Sequence, residues 1–503
     1  MLTPRFSLRT CGATVLTGAL LLTGGARALH AGAFSLADQS ASAVGTSFSN
    51  MANPSDPGTV FFNPAGMTYL DGVQTESSYE YIHPRAEFDN GGSRYLNPGI
   101  AGLPIRGGDG GGATRGASID QTYITAKLLK SPTYGDFSMG IGITVPFGLI
   151  VDYDKNWVGR YDSQRSELRT VDYGLSAAYR WKFISVGAGF DAQYSSAVLS
   201  QAIDFGLLGG SLGVPGFAPG ANDGTLRLEG SDVSYGYNLG GLIEYLQPGQ
   251  IPFLGSGKLG ASYRSGITQN YDGYVTFRNA PAFLAAVGNT AFTGQRANAQ
   301  LRLPEIYNFA ASQAFLDDKF TIMAQATWTR WGRLSEIPIN FSNPVTAAAL
   351  SNPVLGRAGI ATDYNDAWRY VGAIEFKPIK DLTLRVGGGY DETPVPSQDV
   401  RDTRIPDGNR WLVSAGLKYH VFGFNSPIFP AHVDTDIELS YLHEFVNDPA
   451  IRLADNSGHF VTGKYNEQVN IASASVIFRY GAKTETERMK EGKDAKDRAT
   501  SSK

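Results

Sequence analysis

The 503-residue sequence predicts an all-β fold, a 14-stranded antiparallel transmembrane β-barrel. Three observations carry this reading. From about residue 74 to Tyr480 apolar and polar residues alternate with a period of two, the signature of strands with one apolar and one polar face. Gly, Tyr and Phe are abundant and charged residues make up only 18%, while no segment offers the roughly 20 consecutive apolar residues that a spanning helix needs. Turns on one side are short ("SPTYGD", "LDDK", "KPIKD") and connections on the other are long, the asymmetry of an outer-membrane barrel.

At the N-terminus, Arg5 and Arg9 precede an apolar run from Ala13 to Leu22 and then "ARALHAG". Residues 1–31 therefore read as a signal peptide cleaved after Ala28 or Ala31. The single cysteine, Cys11, falls inside it, so the mature chain has no disulfide. Residues 32–73 have no clear period. Within them "VFFNPAGMTYLDG", Val60 to Gly72, sets two Phe, an Asn-Pro pair and a Gly in an apolar, sharply turned stretch.

Strands are expected at 74–88, 119–131, 136–147, 165–182, 183–199, 231–247, 257–277, 299–315, 319–333, 364–377, 381–394, 409–421, 432–446 and 465–480. An even number places both chain ends on the periplasmic side. In "FTIMAQATW", Phe320, Ile322, Ala324, Ala326 and Trp328 oppose Thr321, Met323, Gln325 and Thr327; "WRYVGAIEF" and "WLVSAGLKY" repeat the pattern. The polar face looks into the lumen, carrying Arg180, Arg369, Arg385 and Lys418 with Glu375, Asp434, Asp436 and Glu438. Such charges pair across strands, or an unpaired cation holds a ligand carboxylate.

Long loops are expected at 89–118, 200–230, 278–298, 334–363, 395–408 and 447–464. Two of them are strongly apolar: Phe205, Leu207, Leu208 and Phe217 in one, Phe283, Leu284 and Phe292 in the other. An apolar surface facing outward fits capture of a ligand or partner, and loop-on-loop packing is the alternative. After the closing strand, "NIASASVIFRY", residues 481–503 carry both signs of charge and no aromatics, as a disordered periplasmic tail would.

A net charge of −4 with no basic, aromatic-interleaved patch speaks against nucleic-acid binding. Gly-rich stretches lack a strand–turn–helix context with a Lys, and the six His are scattered without metal-ligand spacing. No catalytic residue, metal or cofactor is expected, and the chain does not read as an enzyme.

"FFNPAGM", "PFGLIVDYDKNWVGRY" with "SELRT", "GASYRS", "TWTRW", and "GGGYDETPVP" with "RIPDGNRW" occur in this order between Phe34 and Tyr480. The ordered set resembles the FadL/TodX family of outer-membrane transporters for long-chain fatty acids and aromatic hydrocarbons. The resemblance implies an N-terminal hatch, residues 32–73, plugging the lumen of a barrel formed by 74–480. It implies passive uptake of hydrophobic small molecules by a monomer in the Gram-negative outer membrane, with long-chain fatty acids ahead of aromatic hydrocarbons. A general porin or a surface adhesin is the competing reading, the first requiring an unplugged lumen. On this resemblance Phe61, Phe62, Asn63, Pro64, Ala65 and Met67 form the hatch or gate. Cargo captured by the outer loops would leave sideways, into outer-membrane lipid, at a kink of the third strand built from Gly140, Gly142, Pro146, Phe147 and Gly148. Arg160, Arg180 and Arg385 are the head-group candidates, chosen by position and charge.

Overall fold

The computed structural model describes residues 32–286, 290–352, 357–425, 432–455 and 457–481. The expected signal peptide, and the expected tail from residue 482 onward, lie outside the described residues. The wall is a closed barrel of fourteen antiparallel strands. Its first half comprises β1 (Val73–Asn90), β2 (Ala117–Ser131), β3 (Gly135–Thr144 and Gly148–Asp152), β4 (Arg165–Trp181), β5 (Ile184–Ile203), β6 (Gly224–Leu246) and β7 (Leu254–Arg264 and Thr268–Arg278). The second half comprises β8 (Gln295–Arg302 and Ile306–Phe315), β9 (Phe320–Thr329 and Glu336–Phe341), β10 (Arg357–Ala361 and Ala367–Ile379), β11 (Leu382–Asp391), β12 (Arg410–Asn425), β13 (His432–Val446) and β14 (His459–Tyr480). β14 pairs back onto β1 from Val73↔Tyr480 to Asn90↔Gly463, so the sheet has no free edge.

The period-two pattern becomes an inside and an outside. Along β9, Thr321, Met323, Gln325 and Thr327 are buried while Phe320 and Ile322 are exposed. Lipid rewards an apolar exterior, so the polar set has to look inward. Above the membrane that demand disappears, and several strands run further than the alternation foretold. Gly224–Gly230 belongs to β6, His459–Lys464 to β14, and the expected 334–363 loop holds strand pieces at Glu336–Phe341 and Arg357–Ala361.

Residues 32–72 fill the lumen with short helices and turns: α1 (Ala41–Gly45), a 3-10 turn at Asn50–Ala52, α2 (Thr59–Phe62) and a longer 3-10 turn at Pro64–Tyr69. Ser40 caps α1, its Oγ accepting from the Ala43 N–H at 3.3 Å. Asn63 caps the turn that Pro64 opens, Oδ1 accepting from the Ala65 N–H at 3.1 Å, while Asn63 Nδ2 donates to the Gly241 carbonyl at 3.2 Å. The Asn-Pro pair thus fastens the hatch to β6.

Glycines in the wall make room for this turn. A Cβ on Gly187 of β5 would stand 2.5 Å from the Ala65 nitrogen, and one on Gly240 of β6 would run into Asn63 Oδ1. Met67 and Val60 fill the space left by Gly140 of β3, where a Cβ would lie 2.5 Å from the Met67 sulfur and 2.7 Å from Val60 Cγ2.

Candidate functional site: a seam in the wall and two lumen pockets

β3 is interrupted at Val145-Pro146-Phe147. Its ladder with β4 stops at Thr144↔Asp172 and resumes at Gly148↔Arg169. On the other flank, pairing with β2 ends at Thr122↔Ile143. Pro146 has no N–H to give a ladder, so the break falls where the backbone can best spare a donor. Backbone groups left open beside lipid would each cost several kcal/mol. The hatch covers them: the Leu36 N–H donates to the Pro146 carbonyl at 2.8 Å, and the Gly148 N–H to the Phe34 carbonyl at 3.0 Å. Gly140 and Gly142 do not share in the break, contrary to the sequence expectation. Both sit in continuous ladder, paired with Thr125 and Tyr123 on β2 and with Ser176 and Gly174 on β4. A strand glycine marks either a bend or a close approach, and these two serve the second purpose.

Two pockets flank the hatch segment that covers this seam. The outer one is walled by Leu168, Leu199, Leu228, Ala297, Leu301 and Ile405, and encloses about 810 Å³ including its mouth. Phe34 forms its floor, with ring centroids 4.8 Å from Trp331 and 6.1 Å from Phe147. Beneath this aromatic partition lies an inner chamber that reaches Phe61, Phe62, Pro146, Arg264, Gln325 and Arg369. Of the expected gate residues, Phe61, Phe62 and Pro64 line this chamber. Met67 does not; it is packed with Val60, Tyr123 and Ala178, and Ala65 is packed with Met51 and Leu242.

The arginines near these pockets all carry carboxylate partners. Arg404, beside the outer pocket, pairs with Asp162 at 2.9 Å and Asp402 at 2.8 Å. Burial pushes the Asp402 carboxyl up to about 6, with Arg404 pulling the other way. In the chamber Arg264 pairs with Asp191 at 3.0 Å and Asp172 at 3.4 Å, and lies 4.3 Å over the Phe61 ring. Arg369 pairs with Asp391 at 2.9 Å. Neither Arg264 nor Arg404 stands out by type or charge, yet "GASYRS" and "RIPDGNRW" contain them.

The three expected head-group residues do not converge. Arg160 lies among the outer loops, bound to Asp223 at 2.7 Å. Arg180 stands near the periplasmic turn after β4, paired with Glu244 at 2.6 Å and 4.2 Å over the Tyr69 ring. Arg385 faces the periplasmic mouth between Glu375 at 3.1 Å and Glu438 at 2.8 Å. A strand pattern tells which face a side chain takes, and neither its height in the barrel nor its partner.

In the apolar outer loops the large side chains mostly meet one another, the loop-on-loop packing that the sequence left open beside ligand capture. Phe205 opens α3 (Phe205–Ser211) fully buried, edge-on to Phe292 at 5.0 Å, and Phe217 meets Phe283 at 5.1 Å. Leu284 is buried, Leu207 and Leu208 are half-buried, and Leu212 is left 63% exposed. Asp204 caps α3 at 2.7 Å from the Leu207 N–H and takes further bonds from Tyr95 at 3.1 Å and His459 at 3.5 Å. Burial alone would lower the His459 imidazole, but Asp204 and Asp455 outweigh it and raise it to about 9.

Residues 22–480 match the family model described as outer membrane protein transport protein (OMPP1/FadL/TodX). The chain belongs to this family. An outer membrane protein of Neisseria meningitidis serogroup B is 27% identical over 456 residues, spanning 87% of this chain and 91% of that one. A long-chain fatty acid transport protein of Escherichia coli O6:H1 is 26% identical over 433 residues, spanning 82% and 86%. Among solved structures, a Pseudomonas aeruginosa FadL homologue superposes with a TM-score of 0.75 at 21% identity, covering 90% of this chain and all of that one. The Pseudomonas putida toluene transporter TodX superposes with 0.58 at 16% identity, covering 87% and 99%. This FadL/TodX-family protein is therefore an outer-membrane transporter of hydrophobic compounds, and its barrel with a plugged lumen is the family fold.

Proposed function

We propose that this transporter takes up hydrophobic molecules passively, holding them in the outer apolar pocket and releasing them sideways at the Pro146 seam. The observation that carries the reading is the contiguity of three parts: an apolar pocket, an aromatic partition at Phe34, and a chamber that reaches Pro146. The outer loops around Phe205, Phe217, Phe283 and Phe292 are the capture surface, entered by small rearrangements of their aromatic contacts. No energy source is needed, because each CH₂ that moves from water into an apolar site gains about 0.8 kcal/mol. The apolar lining suits a long-chain fatty acid and an aromatic hydrocarbon alike. A second reading, that cargo crosses uncharged, draws on the carboxylates that already accompany Arg264, Arg369 and Arg404. The test is uptake of oleate, toluene and a small sugar by cells lacking other hydrophobic-compound transporters. Expression should speed oleate or toluene and leave the sugar unchanged; faster sugar entry would instead favour a general porin.

A further inference from the structure

The seam holds one contact of a kind found nowhere along an ordinary ladder. Val145, the last residue before Pro146, has lost its β2 neighbour, yet neither its N–H nor its carbonyl is open. Gln39 of the hatch takes both: its Nε2 donates to the Val145 carbonyl at 2.8 Å, and its Oε1 accepts from the Val145 N–H at 3.3 Å. The carboxamide thereby reproduces the two-bond exchange that a facing strand residue would make. Its second amide hydrogen reaches the Leu36 carbonyl at 3.1 Å, and its own carbonyl accepts from Tyr123 of β2 at 2.8 Å. Gln39 therefore ties together the hatch, the broken strand and the strand across the gap, and it is fully buried.

We propose that Gln39 is a positioning residue that holds the lateral seam shut, a side-chain stand-in for the missing stretch of β2, and so sets the rate at which cargo leaves. This rests on the sideways-release reading above. The chemistry is specific to a carboxamide. Leu has nearly the volume and offers no hydrogen bond, whereas an ionised Glu accepts from the Val145 N–H and cannot donate to the carbonyl. Withdrawal of Gln39 strips two backbone groups at once, at a point where lipid offers no replacement.

The test is Gln39→Leu in the full-length protein in lipid nanodiscs, beside Ser47→Ala as a control. Ser47 bonds Ser414 at 2.8 Å, a hatch–wall contact made to β12 and to no backbone group of β3. Amide hydrogen exchange at Val145, Phe147 and Gly148 reports the closure itself. Gln39→Leu should speed it about ten- to hundredfold, as two lost hydrogen bonds imply, while Ser47→Ala leaves it unchanged. Transfer of toluene from protein into vesicles should accelerate in step. Equal exchange in Gln39→Leu and the parent, or an equal rise in both variants, overturns the clamp. Faster exchange with unaltered toluene transfer keeps the clamp as a structural contact and overturns both its control of release and the sideways exit.

Discussion

Replacing Phe34 by Ala should open the partition between the two pockets. The ring is 2% exposed and packs against Trp331 and Phe147. Truncating a buried Phe to Ala costs about 3–5 kcal/mol. The competing anchors of the same segment are hydrogen bonds from Leu36 N–H to Pro146, from Gly148 N–H to Phe34, and through Gln39, each worth about 0.5–1.5 kcal/mol net. The ring thus supplies closure on the same scale as those bonds together. Even 3 kcal/mol removed from the closed arrangement raises the displaced fraction about a hundredfold, since 1.4 kcal/mol is tenfold. Toluene transfer into vesicles, measured with purified variant and parent, should be faster by at least tenfold, and co-purified lipid should be retained less. The barrel wall is untouched, so its heat-induced mobility shift on gels should persist. A Phe34→Ala protein with parental transfer rate and parental ligand retention would refute the partition.

Arg385→Ala should strip one of two cations from Glu375 and from Glu438, which keep Lys377 at 3.4 Å and Lys418 at 3.2 Å, and cost about 1.5–3 kcal/mol in thermal stability, with oleate affinity unchanged in a fluorescence titration; weaker oleate binding with toluene unaffected would restore it as a head-group residue. Gly187→Val should push on the Ala65 nitrogen and the Pro64 carbonyl carbon, which are backbone and cannot yield. Overpacking of that kind costs about 1–3 kcal/mol, and limited proteolysis should cut residues 54–70 faster while the barrel stays folded. Asp38 in the hatch is fully buried and burial raises its carboxyl from 3.8 to about 7, with Glu444 raising it further and Arg369 opposing, in an environment that also includes Glu80. The native state binds this proton more tightly than the unfolded chain, so the stabilisation is complete below about pH 4 and is lost progressively as pH rises to about 7, by up to about 4 kcal/mol. Hydrogen exchange of the hatch should therefore quicken from pH 4 to 7 after correction for intrinsic rates, and Asp38→Asn should flatten that slope.

Much of this architecture was legible because two physical demands write directly into sequence. Lipid on one face forces alternation, which located β4 and β13 nearly to the residue, and Pro cannot donate to a ladder, which drew attention to Pro146. The same reasoning faltered where a residue type has two uses. Gly140 and Gly142 could bend a strand or admit a neighbour, and only the position of Met67 and Val60 decides for the second. Strand ends beyond the bilayer, such as Gly224–Gly230, carry no lipid-facing signal and read as loop. The site itself was the least visible part. Arg180 and Arg385 lay on the polar strand face and Arg160 was chosen by position and charge, but ion pairing depends on cross-strand register and on the hatch. Gln39 gave no signal at all, since a lone glutamine in an irregular segment has no period, motif or charge to mark it.

Sideways release requires the hatch segment to part from β3, and a covalent lock tests that requirement most directly. Ser35 and Phe147 face each other in an isolated antiparallel bridge, where Cα atoms stand about 4.5–5.5 Å apart, a span a disulfide can close. The double variant Ser35→Cys, Phe147→Cys should bind cargo from the outside and fail to pass it into lipid while oxidised, and regain transfer on reduction. Equal toluene transfer in the oxidised and reduced protein, with the crosslink verified by mass spectrometry, would contradict passage through the seam.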